Sequence, residues 1–82
     1  MDDKLRSEIR EIIAQLIEEE PDVVTDDAHL VTDLGADSML VLELMATLEK
    51  RYAIVIKPES LPELVSLSKA AALVERLRHA GR

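Results

Sequence analysis

One serine stands out among the residues able to do chemistry. Ser38 follows Gly35-Ala36-Asp37, at the point where a helical apolar pattern begins. If Asp37 accepts from the first free amides of that helix, the Ser38 hydroxyl is left to face solvent. A helix N-terminus favours anions, so a phosphate ester on this hydroxyl would be stabilised there. The plainer reading is that Ser38 is itself the cap and has no other task. Self-contained catalysis is not expected. No glycine lies two residues after Ser38, so Gly35 to Met39 is not a nucleophile elbow. His29, in a long connection, and His79, near the C-terminal end, read as exposed surface histidines and not as bases. The loop acids lack the spacing of a calcium loop, phosphate-loop and dinucleotide fingerprints are absent, and no metal site is expected. The 82 residues contain no cysteine, which excludes a disulfide framework, a thiolate zinc site and a thiol nucleophile.

The remaining composition narrows the class. A chain of this length forms one small domain with a thin core, and residues 1–82 are read as that single domain. The net charge of −7 disfavours phosphate backbones and anionic membranes as partners, and the lone aromatic, Tyr52, disfavours base stacking. The longest unbroken aliphatic run, Ala70 to Val74, is far short of a membrane span of about 20 residues. With no targeting pattern in the first ten residues, a cytoplasmic protein is the default, without membrane insertion. The charge is uneven. Residues 11–49 hold eleven acids and no Lys or Arg, whereas residues 50–82 hold seven bases against three acids. The acidic stretch alone reads as a solvated face.

The elements that must position Ser38 are helical. Leu5, Ile9, Ile12, Ile13, Leu16 and Ile17 form a stripe of helical period, with Asp2 or Asp3 available as cap and Pro21 as the stop. A connection over roughly residues 20–37 follows, without regular structure and pinned by Val23, Val24, Leu30, Val31 and Leu34. A second helix is predicted from Ser38 to Arg51, with Lys50 and Arg51 suited to its C-terminal end. Residues 52–65, with Pro58 and Pro62, predict a loop and a short helix near 59–64; a strand at 52–56 would have no partner. Ser66 should cap a last helix that turns Leu67, Ala70, Ala71, Val74 and Leu77 inward and ends at Gly81. The fold class is all-α: a small four-helix bundle of three longer helices and one short one, with a long loop between the first two.

On a helical wheel starting at Ser38, Leu40, Val41, Leu44, Met45 and Leu48 span about 200° to 340° and form the core face. Met39, Leu42 and Ala46 fall at about 40° to 100°, flanked by Glu49 and Glu43. This second strip is either a docking patch with a charged rim or another buried side of a central helix.

The stretch Val24 to Met39 resembles the acyl carrier protein family. The family pattern is Asp-Leu-Gly-x-Asp-Ser followed by Leu or Met, then Glu-Leu a few residues on. It stands here as Asp33-Leu34-Gly35-Ala36-Asp37-Ser38-Met39 and Glu43-Leu44. The likeness continues through Leu48-Glu49-Lys50-Arg51-Tyr52 and the spacing of the last helix, and so covers nearly the whole chain. The resemblance implies that Ser38 is the attachment site of 4′-phosphopantetheine, transferred from coenzyme A by a phosphopantetheinyl transferase. Acyl intermediates would ride as thioesters on the arm's thiol, which makes sense of the missing cysteine. The chain would then be a non-catalytic, monomeric carrier acted on by its partners, the transferase and acyltransferase- or ketosynthase-type enzymes with basic docking surfaces. By the same likeness Asp33, Leu34, Asp37, Met39, Leu42 and Glu43, with Ala46 and Glu49 from the strip, would form the partner surface. Val41, Leu44, Met45 and Leu48 would shelter the acyl chain.

Housekeeping fatty-acid carriers are usually acidic two positions after the serine and often small and polar at the third; here these are Leu40 and Val41. They also tend to stay acidic in the C-terminal half. These departures favour polyketide or specialised lipid biosynthesis over housekeeping fatty-acid synthesis. An aminoacyl or peptidyl carrier is a further alternative, and so is a helical adaptor without a prosthetic group.

Overall fold

A computed structural model describes residues 3–80. The apolar stripes become three α-helices: α1 (Asp3–Ile17), α2 (Ser38–Tyr52) and α3 (Leu67–Ala80). A fourth, short helix is the 3-10 segment Pro58–Glu63, close to the predicted position. The described residues contain no strand, and Ala53 to Ile56 is irregular. Asp2 and Gly81, proposed as terminal caps, lie outside the described residues.

α1 does not run on to Pro21. Glu18 adopts the left-handed region at φ 58, and the amides of Glu18 and Glu19 return to the carbonyls of Gln15 and Ala14 at 3.3 and 3.0 Å. This is the hydrogen-bond pattern of a Schellman cap, here without its usual glycine. Pro21 instead opens a three-residue 3-10 turn, Pro21–Val23, so the connection has some regular structure after all. α2 ends the same way, one residue later than predicted: Ala53 sits at φ 53 and Ile54 donates to the Glu49 carbonyl at 3.2 Å.

The core is aliphatic and continuous across the three helices. Leu5, Ile9 and Ile13 from α1, Leu44 and Leu48 from α2, and Leu67, Leu73 and Val74 from α3 are fully or almost fully enclosed. Leu73 was not among the predicted inward residues. Leu77 packs on the core from partial exposure. Of the five apolar residues expected to pin the connection, Val24 and Leu30 are buried and Leu34 packs against the core, whereas Val23 and Val31 face solvent. The connection is held by charge as well. Arg10 donates to the Val24 carbonyl at 2.9 Å and pairs with Asp26, which Arg6 also reaches at 3.5 Å. Thus one of the eleven acids is neutralised by bases of α1.

The three helices meet again at their far ends from Ser38. The Tyr52 hydroxyl donates to Glu8 at 2.8 Å, and the Arg78 guanidinium lies 5.6 Å from the ring centroid. Burial, then the bond to Glu8 and its negative charge, push the Tyr52 hydroxyl up to about 12. No helix among the described residues is long and apolar enough to cross a membrane.

Candidate functional site

The site begins in the connection. The His29 amide donates to the Asp33 carboxylate at 2.8 Å, and the His29 carbonyl accepts from Asp33 and Leu34 at 2.9 and 3.1 Å. Its ring nitrogen Nδ1 accepts from the amides of Val31 and Thr32 at 3.1 and 3.2 Å. His29 is therefore a built-in part of the turn and not the loose surface side chain expected from sequence. The turn is anchored at a distance: the Leu30 amide donates to the Val65 carbonyl at 2.8 Å, and the Leu30 carbonyl accepts from Ala36 at 2.8 Å. Gly35 lies between, at φ +74, a conformation that costs any L side chain about 1–2 kcal/mol.

Asp37 then switches the chain into α2. Its backbone is extended, and its carboxylate accepts the Leu40 amide at 2.9 Å, three residues on. Of the two cap readings, Asp37 is the one the structure adopts. Ser38 is the first helical residue and is exposed, and no hydrogen bond occupies its hydroxyl among the described residues. The first amides of any helix have no carbonyl partner within it, so positive potential converges beside this hydroxyl. An ester of negative charge fits this position on both counts.

The two faces of α2 separate as the wheel indicates. Leu44 and Leu48 have no exposed surface, whereas Met39 is 70% and Leu42 46% exposed. Ala46 and Glu43 are exposed beside them. Asp33 and Asp37 are exposed near Ser38 but already hold amides of their own turns, and Leu34 is half-buried. Glu49, grouped with the strip on the wheel, is half-buried and accepts the Ile56 amide at 2.9 Å. It braces the loop after α2, whatever else it touches.

An open cleft of about 700 Å³ runs from Ser38 between the N-terminal half of α2 and residues 58–65. Its walls include Val31, Val41, Leu42, Leu61, Leu64 and Val65, and His29 and Ser38 also line it. Of the four side chains assigned to an acyl-chain pocket, Val41 lines this cleft. Leu44 and Leu48 are closed inside the core, and Met45 packs on it from partial exposure. The far wall was missed from sequence. Its signal was the alternation of Pro58 and Pro62 with Leu61, Leu64 and Val65. No group of three or more potential metal-ligating side chains occurs among the described residues.

Residues 7–77 match the family described as a phosphopantetheine attachment site. A protein named acyl carrier protein from Campylobacter hominis is 33% identical over 70 residues, covering 85% of this chain and 89% of its own. Its counterpart from Akkermansia muciniphila is 32% identical over 94% of this chain and 96% of its own. That from Brachyspira hyodysenteriae is 39% identical over 87% and 92%.

Proposed function

The chain belongs to the acyl carrier protein family, and from that premise we propose that Ser38 is the residue that receives its 4′-phosphopantetheine. One observation carries the assignment. Asp37 supplies the cap of α2, which leaves the Ser38 hydroxyl exposed and uncommitted at the helix N-terminus. In the transfer, the Ser38 oxygen bonds to the phosphorus of coenzyme A that bears the pantetheine. The pyrophosphate link breaks, the nucleotide half leaves, and the hydroxyl proton passes to the transferase. Once attached, the arm supplies the terminal thiol on which acyl groups are carried as thioesters. The chain performs no bond chemistry of its own; it orients the hydroxyl and presents a surface, as a cytoplasmic monomer.

That surface is the exposed strip of Met39, Leu42 and Ala46 with Glu43, Asp33 and Asp37 around it. Its charge suits basic docking faces on the transferase and on acyltransferase- or ketosynthase-type enzymes. The pathway we favour is polyketide or specialised lipid synthesis. It rests on Leu40, which packs against the core where housekeeping carriers usually place an acid. Intact mass after incubation with coenzyme A and a broad-specificity transferase tests the attachment. One phosphopantetheine should be gained by the native chain and none by Ser38→Ala; label retained in Ser38→Ala would overturn the site. Loading rates with malonyl, longer acyl and aminoacyl donors then test the cargo class.

A further inference from the structure

We infer that His29 is a positioning residue for modification at Ser38, and that it works only while its imidazole is neutral. The inference rests on the attachment reading for Ser38. Two backbone amides, those of Val31 and Thr32, point at Nδ1. Amides can only donate, so Nδ1 must present its lone pair and the ring proton must sit on Nε2. Imidazolium carries a proton on both nitrogens. Protonation would therefore set an N–H against two N–H groups and leave all three without an acceptor.

The turn held by this ring leads directly into the site. The carbonyls of His29 and Leu30 hold Asp33, Leu34 and Ala36, the last residues before the Asp37 cap. His29 and Ser38 also line the same cleft. Losing the ring's two bonds loosens the segment that fixes where α2 begins, and hence where the Ser38 hydroxyl stands. Two carboxylates stand in the same turn and cleft. Asp33 binds the residue's own amide, and Asp37 shares the cleft border. From α2 the cleft is bordered by Ser38, Val41 and Leu42, and residues 58–65 contribute Pro58, Leu61, Pro62, Leu64 and Val65, none of them charged. Among the described residues, His29 is thus the only basic group lining that cleft. A proton taken up at Nδ1 would strip both amide bonds at once, so arm attachment should weaken on acidification.

The test compares the full native chain with His29→Asn and His29→Ala. Asparagine places a carbonyl oxygen where Nδ1 stands and caps the same amides without titrating. Initial rates of phosphopantetheine transfer from coenzyme A are measured for all three with one transferase from about pH 8 to about pH 5.5. Dividing each native rate by the His29→Asn rate at the same pH removes the transferase's own pH dependence. The ratio should fall by about twofold or more toward the acid end, because protonation forfeits two backbone hydrogen bonds. His29→Ala should be slow throughout, and asparagine should restore what alanine loses. Amide exchange gives a second reading: protection of Val31 and Thr32 should drop with acid in the native chain relative to His29→Asn. A flat rate ratio, or alanine as fast as the native chain near pH 8, overturns the inference. If Ser38 takes no arm in any of the proteins at any pH, the attachment reading itself has failed, and this inference fails with it.

Discussion

The carboxylate of Asp37 and the amide of Leu40 stand 2.9 Å apart, and this contact decides where α2 starts. Removing such a cap costs about 0.5–2 kcal/mol. Asp37→Ala should therefore lower stability by about 1 kcal/mol, and Asp37→Asn, which keeps an acceptor oxygen, by much less. Denaturant melts give both values. Transfer of the arm to Ser38 should follow the same order, because the alanine variant invites Ser38 to take over the cap.

Leu42 and Leu44 are two residues apart on α2 and should behave oppositely. Leu44 has no exposed surface, so Leu44→Ala should cost about 2–5 kcal/mol through a cavity. Leu42 is 46% exposed, and Leu42→Ala should fall well below that range while slowing transfer or loading by a partner enzyme. Leu48→Ala should behave like Leu44→Ala. The measurement pairs a melt with a transfer rate for each variant. If Leu42→Ala unfolds the domain as readily as Leu44→Ala, the strip is not a docking surface.

Ala53 holds a left-handed conformation that only glycine adopts without strain. Relief of about 1–2 kcal/mol, less the greater chain entropy of glycine, leaves Ala53→Gly more stable by about 0.5–1 kcal/mol. A thermal melt checks the sign, and an unchanged or lower midpoint contradicts it.

Tyr52 gives a pH signature. Its hydroxyl is raised from 10.0 to about 12 by burial and by the bond to Glu8. The folded state thus favours the neutral phenol. That stability is fully present below the unfolded value, and it is lost as pH rises from 10.0 toward about 12. Tyr52→Phe cannot ionise, so the stability difference between native and variant should shrink across that window. Parallel denaturant melts at each pH measure it.

The acidic stretch should act mainly on association rates. Glu11, Glu18, Glu19, Glu20, Asp22, Asp27 and Glu43 are all exposed. Binding to a basic transferase or synthase should weaken as salt rises, chiefly through a slower on-rate. An affinity unchanged from low to high ionic strength would leave these carboxylates as a solvated face.

The parts of this molecule legible in its sequence are those fixed by near neighbours. The cap at Asp37, the cap at Ser66 and the apolar period of α2 each involve residues within four positions of one another, and each is found where expected. What escaped depends on distant chain. The turn at Leu30 is tied to Val65, thirty-five residues away, and no local pattern announces that tie. The far wall of the cleft comes from residues 58–65, which meet α2 only in the folded bundle. The ends of α1 and α2 were misjudged for a different reason. Glu18 and Ala53 occupy conformations their residue types disfavour, so neither announces a helix end, whereas Pro21 does so too late for α1 and the basic pair Lys50-Arg51 one residue too early for α2.

The separation of Asp37 from Ser38 bears on how the chain is handled after synthesis. Folding draws on the carboxylate and leaves the neighbouring hydroxyl out of its bonding. Esterification at Ser38 then removes no hydrogen bond from the native state, and the only coupling left is the mild attraction between the new negative charge and the helix amino end. Unmodified and modified chains should share one fold and nearly one melting temperature. A protease that samples unfolded molecules should then degrade both at similar rates.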